Sequence, residues 1–157
     1  MSAAEAIKLL FQNQIFLSTV SSLFIAQVFK MVFLVLTGKS RKKWDVIEAV
    51  IWRTGGMPSS HSAVVCSLAT SAGLYEGVDY NFFVISLVLA MIVLRDAVGV
   101  RRAAGLQAKA LNNLGKQSAQ ITGLDFNSVK EIQGHTPLEV MVGSLLGILI
   151  AVVFYLF

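Results

Sequence analysis

The chain has 157 residues, of which 55% are hydrophobic and 14% charged, with a mean hydropathy of +0.71. That length suits one domain over residues 1–157, and that composition excludes an ordinary soluble globule in favour of a polytopic membrane protein. The net charge of +4 is no nucleic-acid signal and no such partner is expected, because the cations sit at the ends of apolar runs, where membrane topology places them.

Residues 1–8 form a short, weakly charged start. Residues 9–29 carry no charge and are long enough to span a bilayer. This run is too long for the apolar core of a signal peptide and reads as a retained span. Lys30 ends it, and apolar residues continue to Leu36. Then follows Thr37-Gly38-Lys39-Ser40-Arg41-Lys42-Lys43, whose four clustered cations place the loop in the cytoplasm. Residues 44–53 read as a short interfacial helix anchored by Trp44 and Trp52. Two further apolar segments, 62–75 and 80–94, flank the acidic loop Glu76-Gly77-Val78-Asp79. Both fall short of the roughly 20 residues of a usual span, so they thin the bilayer or borrow length from their flanks. Residues 95–120 hold Arg95, Arg101, Arg102, Lys109 and Lys116 and read as an amphipathic helix on the cytoplasmic face. Residues 122–134 form a polar loop, and 140–157 an uncharged last span. Cys66, the single cysteine, lies in an apolar run as a small buried hydrophobe and can form no intrachain disulfide.

The expected fold is therefore all-α: a membrane helical bundle of about four transmembrane helices plus interfacial helices. The expected location is an integral membrane protein, in the plasma membrane if the chain is bacterial. With the basic loop inside, Lys30, His61, the 95–102 arginines and His135 all fall on the cytoplasmic face.

His61 and His135 are the only histidines, and each follows a glycine-containing turn at the expected start of a hydrophobic helix. Free N–H groups at a helix N-terminus attract anions such as phosphate, so the pair suggests one phosphate-handling site. His135 and Glu139 are four apart and share a helix face. A carboxylate on one imidazole nitrogen fixes the tautomer and leaves the other nitrogen to attack. The competing explanation is a capping box, with Thr136 as N-cap, Pro137 at the first helical position and Glu139 at the third. Near His61, Pro58 suits a first helical turn, Ser59 or Ser60 is a suitable cap, and both serines could bind phosphate oxygens. His61 itself is a candidate general acid or a plain interfacial histidine. Lys30 is a candidate phosphate ligand or a snorkelling lysine. Arg95, Arg101 and Arg102 are candidate ligands or topological anchors, and Asp96 a candidate ion-pair partner for an arginine. Gln27 is a polar helper of the site or an interhelical hydrogen-bonding group. The ligand spacing of a zinc site such as H-E-x-x-H is absent from the sequence, so neither metal nor cofactor is expected.

In order along the chain, Gly-Gly-Met-Pro-Ser-Ser-His-Ser-Ala, Arg-Asp-Ala-Val-Gly-Val-Arg-Arg and Gly-His-Thr-Pro-Leu-Glu-Val resemble the type 2 phosphatidic acid phosphatase superfamily, and more closely its divergent bacterial and plant branch. The resemblance implies a metal-independent phosphatase with a phosphohistidine intermediate. It implies His135 as nucleophile, Glu139 as its acidic partner in place of the usual aspartate, His61 as general acid and Lys30 as the first-motif lysine. The chain also departs from the pattern. Ser60 replaces a glycine, no Arg-Pro follows Lys30, and Ser128-Val129 stands where Ser-Arg is usual. Arg101, Arg102, Arg53 or Lys130 could supply the missing cation. The expected activity is hydrolysis of a membrane lipid phosphate or pyrophosphate. The alternatives are an inactive lipid-phosphate binder, transporter or flippase component and a structural membrane subunit, both of which work more easily as homo-oligomers. Haloperoxidase activity, which the wider superfamily also shows, does not suit so apolar a chain.

Overall fold

The computed structural model describes residues 2–37, 56–131 and 134–157. The basic loop at 39–43 and the expected interfacial helix at 44–53 lie outside the described residues. Among the described residues there are six helices: α1 Ala3–Leu10, α2 Gln14–Leu36, α3 Ser60–Tyr75, α4 Asn81–Val98, α5 Val100–Thr122 and α6 Pro137–Leu156. The chain is an all-α membrane bundle, and α2, α4 with its continuation into α5, and α6 are long and apolar enough to cross a bilayer.

The first apolar run is not one helix. Ser2 and Glu5 form a reciprocal capping box that starts α1. The Asn13 side chain then accepts the Phe16 N–H at 3.0 Å and starts α2 afresh. An Asn side chain offers the backbone this alternative to a continuous helix. The crossing helix is therefore displaced toward the C-terminus, and Lys30 lies within it, buried (5% exposed), rather than at its end. The third segment also runs longer than expected, through Arg95 and Asp96 to Val98, because its stop is Gly99, whose ψ of −88° leaves the helical region. Arg95 thereby occupies the last turn of α4, where a cation suits the carbonyl end of the helix dipole.

Helix α3, at 16 residues, is the shortest of the bundle helices and the most enclosed. It packs against α6, α2 and α4. Its sequence explains this position, since serine, alanine and glycine let neighbouring backbones approach closely. Ser62, Ser67, Ala72 and Ser71 have no exposed surface. The Ser71 hydroxyl lies 2.6 Å from that of Ser18 on α2. At the far end, the Tyr75 hydroxyl donates to the Phe154 carbonyl at 2.8 Å, and its ring meets that of Tyr155 edge-on.

The tightest approach is α6 on the start of α3. A Cβ on Gly143 would stand 2.3 Å from the Ser59 carbonyl oxygen, and one on Gly147 2.1 Å from that of Ala63. Both distances lie far inside van der Waals contact, so only glycine fits. The Ser59 N–H also donates to the Glu139 carbonyl at 3.0 Å.

Residues 123–131 and 134 form a strap that returns along α5. Asn112, 4% exposed, donates to the Val129 carbonyl and the Glu131 carboxylate and accepts from the Val129 N–H, each at 2.9 Å. Phe126 covers Gly115, and Gly134 sits directly on the Arg101–Arg102 backbone.

Two outcomes follow from this packing. Gly147→Ala should destabilise the protein by about 1–3 kcal/mol, the usual cost of forcing atoms into a packed contact, while Leu145→Ala on the exposed face changes little; thermal unfolding in detergent compares them. Asn112→Ala should raise hydrogen–deuterium exchange at the Val129 amide by roughly tenfold or more, as expected when a local clasp opens.

Candidate functional site

Four chain segments converge at one end of the bundle. Helix α2 brings Lys30, the 56–61 turn brings Ser59, Ser60 and His61, the start of α5 brings Arg101, and the turn before α6 brings His135. Gly56, at φ +96°, occupies a backbone conformation that a side chain would strain, and its Cα faces the Lys30 methylenes, with a Cβ there only 3.1 Å from Lys30 Cε. Gly134 against the backbone of Arg101 and Arg102 fixes the approach of the His135 turn to α5. Arg101, His135 and Lys30 all lie within electrostatic reach of His61.

His135 is buried, at 6% exposure, whereas His61 is exposed at the mouth. The His135 Nδ1 lies 3.1 Å from Glu139 Oε2. The same oxygen accepts the Thr136 N–H at 3.1 Å, while the Thr136 hydroxyl accepts the Glu139 N–H at 3.3 Å. The capping box and the histidine contact thus coexist: one carboxylate closes the helix and holds the ring. An ionised carboxylate only accepts hydrogen bonds, so the proton belongs on Nδ1 and the lone pair on Nε2.

Around His61, the structure selects Ser59 as the cap, with Pro58 outside the helix. Ser59 is fully buried, and its hydroxyl oxygen accepts from the Ser62 N–H at 3.4 Å and the Ser62 hydroxyl at 2.9 Å. Ser60 opens the helix and is nearly buried. Arg101 Nε donates to Asp96 Oδ2 at 2.6 Å, with both side chains partly exposed. Asp96 therefore orients Arg101 rather than its neighbour Arg95. Arg102 and Arg95 are exposed, and their side chains take part in none of the described hydrogen bonds and ion pairs. Lys130 is exposed on the strap, and Val129 is held by Asn112. Arg53 lies outside the described residues. The Gln27 Oε1 is buried and has no partner among the described residues.

Sequence reasoning missed the residues that set distances within the site. Gly134, Gly143 and Gly147 act through close backbone approach, and Asn112 through the strap. The Gly143-Ser-Leu-Leu-Gly147 spacing was the available signal, being a small-residue pair one turn apart on an apolar helix. Asn112 carried no local signal, since its partners lie 17 and 19 residues away. Two surface hollows lie away from the histidines: one of about 500 Å³ lined by Lys116, Gln120 and Phe126, and one of about 290 Å³ lined by Phe16, Thr19 and Phe82.

No solved structure matches the chain. An uncharacterized membrane protein of Bacillus subtilis (strain 168), YuiD, is 35% identical over 156 residues, covering 87% of this chain and 90% of that one. A family model described as the divergent PAP2 family matches residues 11–150, from the turn before α2 to the last turns of α6, and thus takes in both histidine turns. The chain belongs to the divergent PAP2 family.

Proposed function

We propose that this protein is a metal-independent phosphatase of a membrane lipid phosphate or pyrophosphate, working at the cytoplasmic membrane surface. The observation that carries the reading is the buried His135 held by Glu139, within electrostatic reach of His61, which Lys30 and Arg101 also reach. Family membership supports the same class of chemistry.

The chemistry starts from the His135 ring, whose Nδ1 faces Glu139. His135 Nε2, made nucleophilic by the Glu139 contact at Nδ1, attacks phosphorus and forms an N–P bond. The P–O bond to the lipid breaks, and His61 gives its proton to the departing oxygen. Lys30 and Arg101 balance the charge that spreads over the phosphoryl oxygens. His61 then takes a proton from water, whose oxygen attacks phosphorus. The N–P bond breaks, inorganic phosphate leaves, and both histidines regain their starting states. The exposed position of His61 suits a group that must meet both the leaving oxygen and water. Ser59 serves this site through its cap, since its hydroxyl is buried. The Ser60 and His61 N–H groups at the head of α3 supply the anion-attracting end of that helix.

A second reading, a lipid-phosphate binder without turnover, is favoured by one observation. Val129 stands where the superfamily usually carries an arginine, and its backbone is committed to Asn112. The two readings separate in one assay. Phosphate release is measured in liposomes containing phosphatidic acid, phosphatidylglycerol phosphate or a polyprenyl pyrophosphate, with EDTA present. The phosphatase reading expects release that persists in EDTA, disappears in His135→Ala, and falls about 10²–10⁴-fold in His61→Ala, the usual range for a lost general acid. Binding of these lipids with no release from any of them would establish the binder instead. Within the phosphatase reading, Glu139→Gln keeps the size of the side chain but loses the charge that holds the Nδ1 proton. It should lower kcat far more than it raises KM in steady-state kinetics.

A further inference from the structure

Helix α5 has two unlike faces. Val100, Leu111, Leu114 and Ile121 fall on one side at helical spacing, and all four are exposed, Ile121 to 86%. Arg102, Lys109 and Lys116 recur every seven residues on the opposite side, and the 23 residues of α5 include no acidic one. The strap occupies the flank between, over Gly115 and Asn112, and the apolar side is left uncovered among the described residues. Helix α5 begins one residue after α4, a membrane-crossing helix, and the break at Gly99 lets it leave the direction of α4. Its first turn is therefore at the bilayer surface, at the end of the bundle that holds the histidines.

We propose that α5 lies in the membrane interface, with its apolar side in the boundary between headgroups and acyl chains and its basic residues drawn to anionic lipid headgroups. The occupant follows from charge and continuity. A helix without acidic residues, carrying cations opposite an apolar stripe and issuing from a membrane span, matches an anionic lipid surface. The strap is then the cover on the water side, and Arg101, in the first turn of α5, is held at headgroup level. The inference does not depend on any catalytic activity.

The test uses the full chain in vesicles of phosphatidylcholine and phosphatidylglycerol at three to one. Nitroxide labels are placed singly at Leu114→Cys, Ile121→Cys and Lys109→Cys with Cys66→Ser; the three labelled positions are exposed, so the fold should tolerate them. The labels at 114 and 121 should be relaxed more by molecular oxygen, which concentrates in lipid, and the label at 109 more by a water-soluble nickel chelate. Labels at 114 and 121 that favour nickel overturn the proposal, because the stripe then faces water. Labels there shielded from both reagents overturn it too, because a protein segment or a second copy then covers the stripe. Replacing all phosphatidylglycerol with phosphatidylcholine should lower the oxygen-to-nickel ratio at 114 by about twofold or more, as expected when the attraction of basic residues to an anionic surface is removed. An unchanged ratio overturns the role of anionic lipid.

Discussion

The geometry of this protein depends on the direct contact of two helix starts. The carbonyls of Ser59 and Ala63 lie against the bare Cα atoms of Gly143 and Gly147, and the Ser59 N–H donates to the Glu139 carbonyl. Inside a bilayer the lipid tails are as apolar as the helices, so close packing and hydrogen bonds must hold helices together. Here they do so at a fixed register. A slip by one residue along α6 would place Ser144 or Leu146 against a carbonyl that tolerates only glycine. Since Glu139 both closes α6 and touches His135, and Ser59 caps the helix that carries His61, the contact that locks the two helices also sets the relation of the two histidines.

The same close packing explains why the centre of the bundle is small and polar rather than large and apolar. Ser18, Ser22, Ser59, Ser62, Ser67, Ser71 and Ser86 are the largest fully buried side chains. Polar atoms in hydrocarbon need partners, and most of these serines use their own helix. Ser18 donates to the Ile15 carbonyl at 3.0 Å and Ser22 to that of Thr19 at 2.7 Å. Serine thus gives the close approach of alanine, with one interhelical bond added at Ser18–Ser71. Large apolar side chains such as Phe24, Val35, Ile85, Ile92 and Leu149 are left on the outside, facing lipid. A short α3 surrounded by longer helices follows from this arrangement, because its neighbours supply the lipid-facing surface it lacks.

The parts of the fold legible in the sequence are those fixed by local chemistry. Thr136, Pro137 and Glu139 announce the start of α6 through a capping box that involves only neighbours, and the structure has it. Ser59 caps α3, one of the two serines that the spacing offered. The convergence of Lys30, His61, Arg101 and His135 on one end of the bundle was readable from the alternation of apolar runs. Where the reading fell short, a distant or subtle competitor decided. Asn13 divided an uncharged run that composition alone made continuous. Gly99, rather than the charge at Arg95, ended α4, because a helix end tolerates an arginine. Residues 123–131 were visible as polar but not as ordered, since Asn112 and Gly115 on another element clasp them. Lys30 read as the end of a span because a charge inside a membrane helix is costly, whereas its burial against the Gly56 turn lets α2 run on to Leu36.

The strap also gives a physical account of how the chain departs from its superfamily. Residues 123–131 do not approach the site as a free loop. They are laid along α5, and Asn112 takes both backbone groups of Val129, so a side chain at 129 belongs to the strap. Among the described residues, the element that the strap lies on offers a further cation near the histidines. Arg101 is that cation: it stands beneath Gly134 at the start of α5, within electrostatic reach of His61, and Asp96 one turn earlier orients its guanidinium. The Asp96–Arg101 pair is partly exposed, where an ion pair is worth little in stability. Its consequence is directional, since it decides which way a guanidinium points at the mouth of a site that also presents Lys30 and the two histidines.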